Sequence, residues 1–235
     1  MSGPLAVSVG YAAIGGTSVL AGAVTATRHA LSDRARSLVH HAAAGTVLAG
    51  LVVDIFAKLL ARPHQLAFTT IGMIAGLAAM LAIRAFAPSE TNAGAGGLVP
   101  TVVTDILVDG VLIGISAALG SGTGLLFAVA LAPEMGLLGL TASGTLTQKW
   151  RDRRVITAAA AVAAAITGAG ALGWALAQTN PAVTTTVLGI GASVIIYLVL
   201  EELLREVHKT DTGPVEVAVL FGFFLPFFLA GIASS

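Results

Sequence analysis

The chain of 235 residues contains no cysteine, and only 10 % of its residues are charged. The absence of cysteine excludes disulfides, thiolate metal ligands and cysteine nucleophiles. Soluble domains carry about 25 % charged residues, so the shortage of charge excludes an ordinary soluble domain. Hydrophobic residues make up 56 % of the chain, and its mean hydropathy is +0.93. The composition therefore predicts an integral membrane protein.

Long apolar stretches follow one another along the whole chain. A membrane-spanning helix needs about 20 mostly apolar residues. Eight stretches meet this requirement: roughly 4–26, 37–61, 65–87, 98–120, 123–146, 155–177, 183–204 and 214–233. The first has no basic region before it and is too long for a signal-peptide core, so we expect it to be retained. The sequence thus predicts one all-α transmembrane domain over residues 1–235, with eight helices and short connections.

Basic residues in the connections predict the orientation, because cytoplasmic loops are enriched in Lys and Arg. Alternate connections, starting with the first, carry ten basic residues: Arg28, Arg34, Arg36, Arg84, Lys149, Arg151, Arg153, Arg154, Arg205 and Lys209. The other connections carry two, Lys58 and Arg62. We therefore expect a multi-pass protein of the plasma (inner) membrane with both termini outside the cytoplasm.

Four acidic residues interrupt the apolar stretches: Asp54, Asp105, Asp109 and Glu134. A carboxylate in the hydrocarbon layer costs several kcal/mol, so such residues usually face a water-filled path or a bound cation. Three of the four fall in the consecutive stretches 98–120 and 123–146. This clustering predicts a cation site between two neighbouring helices.

Asp105 and Asp109 are four residues apart, so both carboxylates leave one face of a helix about 6 Å apart at Cβ. Two like charges in a low dielectric repel each other unless a cation or a proton lies between them. An ion site is one interpretation. The other is that one carboxyl group is protonated, or that both bind local polar groups.

Glu134 follows Pro133 in the middle of the fifth stretch. A proline inside a helix removes one backbone hydrogen bond and frees a carbonyl group one turn earlier, here that of Val129 or Ala130. Membrane helices tolerate such a break where packing, water or an ion satisfies the freed group. The pair therefore indicates either half of an ion site or a plain kink beside a protonated Glu134.

Asp54 lies deep in the second stretch and needs a partner there. It is either an entrance ligand for a cation or the partner of Lys58, four residues later. The end of the seventh stretch is also acidic, and its residues form either a cytoplasmic exit for a cation or a solvated helix end with an ion pair between Glu201 and Arg205. The candidate exit residues are Glu201, Glu202, Glu206 and His208.

These motifs resemble those of the ZIP (ZRT/IRT-like) divalent metal transporters, whose fourth helix carries His-Asn-x-Pro-Glu-Gly. In the fourth stretch here, Asp105 stands at the histidine, Asp109 at the glutamate, and Gly110 is kept. The fifth stretch retains the Pro-Glu end of the family motif as Pro133-Glu134. The pattern from Gly45 to Asp54, and the run Val199–Glu202 with Glu206 and His208, are also similar to the family.

Several family positions differ in this chain. Ile106 replaces the family's asparagine and Val108 its motif proline, while Ala130 and Leu131 replace the first polar ligands of the fifth helix. The resemblance implies a ZIP-like bundle in which helices one to three and six to eight are inverted repeats. It also implies that the central fourth and fifth helices carry one metal site, made by Asp105, Asp109 and Glu134.

The leading functional hypothesis is transport of a divalent metal cation into the cytoplasm through this carboxylate site. Oxygen ligands favour Mn²⁺, Fe²⁺, Mg²⁺ or Ca²⁺, whereas the family favours Zn²⁺ or Fe²⁺. The metal is the substrate, and no cofactor is expected. A proton-coupled carrier of a non-metal substrate and a degenerate metal-binding sensor are the alternatives.

An enzyme is disfavoured, because no His or Lys base accompanies Ser116, Ser121 or Ser143 in mid-membrane. No nucleic-acid module is present. The expected partners are the divalent cation and the lipid bilayer, and a homodimer is an arrangement that the sequence leaves open.

Overall fold

The computed structural model describes residues 2–28, 32–86, 94–207 and 215–233, and every regular element within these ranges is a helix. The α-helices are α1 (Ser2–Arg28), α2 (Asp33–Gly50), α3 (Ala57–Leu60), α4 (Leu66–Phe86), α5 (Gly94–Leu119), α6 (Ser121–Thr147), α7 (Asp152–Ala177), α8 (Pro181–Val207) and α9 (Val215–Ala233). A π-helical segment, Leu51–Phe56, joins α2 to α3, and a 3₁₀ turn, Pro63–Gln65, precedes α4.

Six of the described helical stretches are long and apolar enough to cross a membrane: Gly3–Arg28, Ser37–Leu60, Pro63–Ile83, Gly122–Thr147, Asp152–Ala177 and Pro181–Glu201. A shorter apolar helix covers Glu216–Pro226. The prediction of an all-α, multi-pass membrane protein is confirmed at this level. Helices α5 and α9 also occupy the fourth and eighth predicted stretches, but the count of eight spans and the orientation of the termini stay predictions.

The helices pack in one group of four and two pairs. Helices α1 and α5 both pack against α6 and α7 and against each other, whereas α6 and α7 touch only slightly. Helix α2 pairs with α9, and α4 pairs with α8. Helix α2 also packs on α6 and so joins its pair to the group of four. Phe127, Leu131 and Met135 of α6 lie at the centre with Ile113 of α5 and Ile166 of α7. Helix α6 therefore contributes three of the fully buried side chains of the core.

Glycine makes the closest helix crossings possible. A Cβ atom on Gly22 would overlap the carbonyl oxygen of Gly136, and one on Gly114 would overlap that of Gly170. Close backbone approach of this kind stabilises membrane helix pairs through dispersion contacts. The glycines thus set the distances of α1 from α6 and of α5 from α7.

Helix α4 presents a row of large apolar side chains on the outside of the bundle. The exposed ones are Leu66, Phe68, Ile71, Ile74, Leu77, Leu81 and Ile83. Soluble monomers rarely expose an apolar surface of this extent. Contact with lipid explains why these residues need no protein partner.

A tight turn at Gly120 joins α5 to α6. The amide of Gly124 donates to the carbonyl of Gly120, and a Cβ atom on Gly124 would overlap the backbone of Ala117. The first turn of α6 therefore lies directly against the last turns of α5. This contact places Thr123 beside Ser116, and we call this end of the bundle the turn end.

Candidate cation site

Asp54 lies within the π-helical segment and is 1 % exposed. A π turn is wider than an α turn, and such turns occur frequently at functional sites. Here it changes the register between α2 and α3 at the residue that carries the buried charge. The irregular backbone and the buried charge therefore lie at the same residue, Asp54.

Lys58 of α3 pairs with Asp54, and the ammonium group reaches two further helices. Its Nζ atom donates to Asp54 Oδ1, to Ser116 Oγ of α5 at 2.8 Å and to Thr123 Oγ1 of α6 at 3.1 Å. Ser116 Oγ in turn donates to Asp54 Oδ2. We call these four residues the turn-end network. The contact between Lys58 and Ser116 shows that the expectation of no lysine beside this serine is wrong. Of the two alternatives for Asp54, the structure shows the ion pair with Lys58. The role of Asp54 as an entrance ligand stays a prediction.

The turn-end network is closely matched in its donors and acceptors. An ammonium group carries three N–H donors, which equals the number of side chains that accept from it. Both carboxylate oxygens of Asp54 have a donor. Since a buried ion pair stabilises a protein only when such hydrogen bonds are complete, the network holds four elements together at the turn end: the π-helical segment, α3, α5 and α6.

Asp109 lies in the interior of α5 and is 2 % exposed. Its Oδ2 atom is buried and has no hydrogen-bond partner among the residues that the structure describes. Asp105, one turn earlier and half-buried, lies close enough for the two carboxylates to interact electrostatically. The structure therefore brings these two predicted site residues together.

Glu134 lies in α6 and is half-buried. The helix continues through Pro133 without ending. Glu134 shares a helix face with Ala130 and Phe127, four and seven residues earlier, and both of these lie near Gly50 of α2. This face of α6 is therefore the one that lies against α2.

Over the described part of the chain, no three His, Asp or Glu side chains are grouped so that they could hold a metal ion. Asp105 and Asp109 thus form a pair, to which this conformation does not add Glu134 as a third ligand. The assignment of the three residues as metal ligands stays a prediction.

The predicted cytoplasmic exit is described only in part. Glu201 is half-buried in α8. The side chains of Glu202 and Glu206 and the whole of His208 lie outside the described residues. The exit therefore also stays a prediction.

The structure adds residues that the sequence did not single out as site residues. Ser116 lies seven positions after Asp109, a spacing that places both on one face of α5. Their separation along the helix is about 10 Å at 1.5 Å per residue. The spacing of Asp105, Asp109 and Ser116 was the available signal for a polar face on α5, but it does not reveal Lys58 or Thr123.

His41 of α2 is a further buried polar residue. It is 1 % exposed, its Nδ1 atom lies 2.7 Å from the carbonyl oxygen of Ser37, and its Nε2 atom has no partner among the described residues. The sequence places two adjacent histidines, His40 and His41, in this helix and gives no signal for which of them is buried. In the structure His40 is only half-buried.

A scan against models of known protein families finds no match, and a search of curated proteins finds no relative. The resemblance to the ZIP transporters therefore depends on the motifs in the chain alone.

Proposed function

We propose that the protein is a membrane transporter that moves a divalent metal cation, of the zinc, iron or manganese class, into the cytoplasm along the polar face of α5. One observation carries this proposal: the buried Oδ2 atom of Asp109 has no hydrogen-bond partner among the described residues. A buried acceptor without a partner costs about 1–3 kcal/mol, and more when it is charged. A cation or a proton at this atom removes that cost.

The position of Asp109 supports a path rather than a structural role. Asp105 lies one turn to one side of it, and Ser116, with the turn-end network, lies two turns to the other side. Polar and ionisable groups that face the interior of a membrane bundle mark ion pathways. A cation that moves along α5 therefore meets oxygen atoms at successive levels.

In this proposal, Asp109 supplies the central charge and Asp105 a second carboxylate. The described residues contain no group of three side chains that could hold a metal ion. The proposal therefore requires that Glu134 joins Asp105 and Asp109 in another conformation of an alternating-access cycle. The basic residues in alternate connections support entry at the turn end and release into the cytoplasm. The motif resemblance to the ZIP family supports the same direction.

A proton-coupled carrier of a non-metal substrate is the second candidate. The observation that favours it is the same lack of a three-ligand group among the described residues. Two neighbouring carboxylates, Asp105 and Asp109, are able to share one proton between them. In this case the proton, and not a metal ion, occupies Asp109.

Uptake by proteoliposomes tests both candidates, with Zn²⁺, Fe²⁺, Mn²⁺, Cd²⁺, Mg²⁺ and Ca²⁺ offered one at a time. The wild-type protein is compared with Asp109→Asn and with Asp152→Asn, a matched substitution at an exposed acid in the first turn of α7. We expect Asp109→Asn to abolish uptake of at least one metal and Asp152→Asn to retain it. Equal uptake by all three proteins removes the metal-transport proposal, whereas proton flux without metal uptake that is lost in Asp109→Asn supports the second candidate.

A further inference from the structure

The turn-end network has the composition of a cation site that already holds a cation. One carboxylate and two hydroxyl groups, from Asp54, Ser116 and Thr123, surround the ammonium group of Lys58. These oxygen atoms come from the π-helical segment, α5 and α6. Three separate elements therefore converge on one positive charge.

The oxygen atoms of the site lie at different depths. The side chain of Asp54 is 0 % exposed and Ser116 is fully buried, whereas the side chain of Lys58 is 13 % exposed and Thr123 is exposed. The carboxylate is fixed in the interior, while the ammonium group also contacts a residue at the surface. Lysine is a point charge on a flexible four-carbon chain, so it is able to leave the site without a change in the backbone.

We propose that Asp54, Ser116 and Thr123 form a second cation site, and that Lys58 is its tethered occupant. A hard cation with a preference for oxygen ligands competes with the ammonium group for these oxygen atoms. When the cation binds, Lys58 swings outward. When the cation leaves, Lys58 returns and neutralises the buried carboxylate.

This competition gives Lys58 a role that the proposed transport function does not assign. The turn end is the expected entrance of the path, so the returning ammonium group blocks this entrance after each cation has passed. The lysine also lowers the affinity of the entrance, because each incoming ion must displace it. The role in entry depends on the proposed function, but the second site is tested without it.

Binding of Mn²⁺ to the purified full-length protein tests the second site directly. All variants carry Asp109→Asn, so that the central site of the proposed transporter does not contribute. Electron paramagnetic resonance measures free Mn²⁺ and gives the number of ions bound per chain. We expect Lys58→Met to bind Mn²⁺ at this site with higher affinity than the parent, so that at a subsaturating Mn²⁺ concentration it holds up to one more ion per chain. The added substitution Asp54→Asn should abolish this gain.

Arg62→Gln is the matched control, because it removes a positive charge one turn after Lys58 without touching the site. Arg62 donates instead to Thr185 of α8. We expect no additional Mn²⁺ in this variant. If Arg62→Gln gains as much bound Mn²⁺ as Lys58→Met, the effect is one of general electrostatics and the proposed site is overturned. The absence of any gain in Lys58→Met also overturns it.

A second measurement keeps Lys58 in place and does not depend on the folding of Lys58→Met. A water-soluble acylating ester modifies lysine amines, and peptide mass spectrometry compares Lys58 with the exposed Lys149 in the Asp109→Asn protein. We expect Mn²⁺ to increase the modification of Lys58 relative to Lys149. An unchanged ratio at saturating Mn²⁺ overturns the competition. Neither readout involves Asp109, so failure here is distinct from failure of the transport proposal.

Discussion

Ser116 of α5 donates a hydrogen bond to Asp54 of the π-helical segment, although the two residues are 62 positions apart in the chain. The bond joins the group of four helices to the continuous rod formed by α2, the π-helical segment and α3. It also fixes the carboxylate that pairs with Lys58. One hydroxyl group thus connects packing at the turn end to the electrostatics of the proposed path.

Loss of this hydroxyl group should destabilise the protein. Ser116→Ala leaves Asp54 Oδ2 without its donor and Lys58 without one acceptor, so we expect the free energy of unfolding to fall by about 1–3 kcal/mol. Chemical denaturation in detergent measures the change. Ser18→Ala is the control, because its hydroxyl donates within α1, to the carbonyl of Ile14. Equal effects of the two substitutions would show that the interhelical bond contributes little.

The ion pair should show strong coupling in a double-mutant cycle. Lys58→Met alone leaves a buried carboxylate unpaired, which costs about 3–5 kcal/mol. The double variant Asp54→Asn/Lys58→Met removes both charges, so we expect it to be more stable than the sum of the single effects allows. Unfolding free energies of the four proteins give the coupling, and additivity within about 0.5 kcal/mol argues against the pair.

Helices α1 and α6 lie so close together at Gly22 that we expect no side chain to be tolerated at this position. Gly22→Ala forces the helices apart, because its Cβ atom overlaps the backbone of Gly136, and we expect a loss of about 1–3 kcal/mol. Gly10→Ala on the same helix is the control, since no atom of the described residues outside the adjoining helix backbone lies within 4 Å of its added Cβ atom. Thermal unfolding in detergent compares them, and similar midpoints for both variants contradict the packing described.

The orientation is testable with single cysteines, because the chain has none of its own. His64→Cys and Gln148→Cys both place a thiol at an exposed position, near opposite ends of the bundle. We expect a membrane-impermeant maleimide to label position 64 in intact cells and position 148 only after permeabilisation. The reverse pattern means that both termini lie in the cytoplasm and that the path runs the other way.

Helix positions were predictable from the sequence because hydropathy and length determine where a membrane helix forms. The burial of Asp109 was also predictable, since it lies deep within an apolar stretch. The spacing of Asp105 and Asp109 predicted their shared face.

The turn-end network was not predictable in the same way. Periodicity shows which residues share a face of one helix, but not which helices are neighbours, so the contacts of Lys58 with Ser116 and Thr123 required the packed structure. The π-helical turn at Asp54 has no sequence signal of its own. The place of Glu134 on the face of α6 near α2 similarly depends on how α6 is rotated in the bundle.

The location of a bound cation tests the central claim most directly. Crystals of the wild-type protein soaked in Mn²⁺ should show an anomalous scattering peak about 2.0–2.6 Å from Asp109 Oδ2, the range for oxygen ligands of hard divalent ions. The same soak of Asp109→Asn should show no peak there. Density in which Asp109 Oδ2 accepts a hydrogen bond from the protein, with no Mn²⁺ beside α5, would contradict the account.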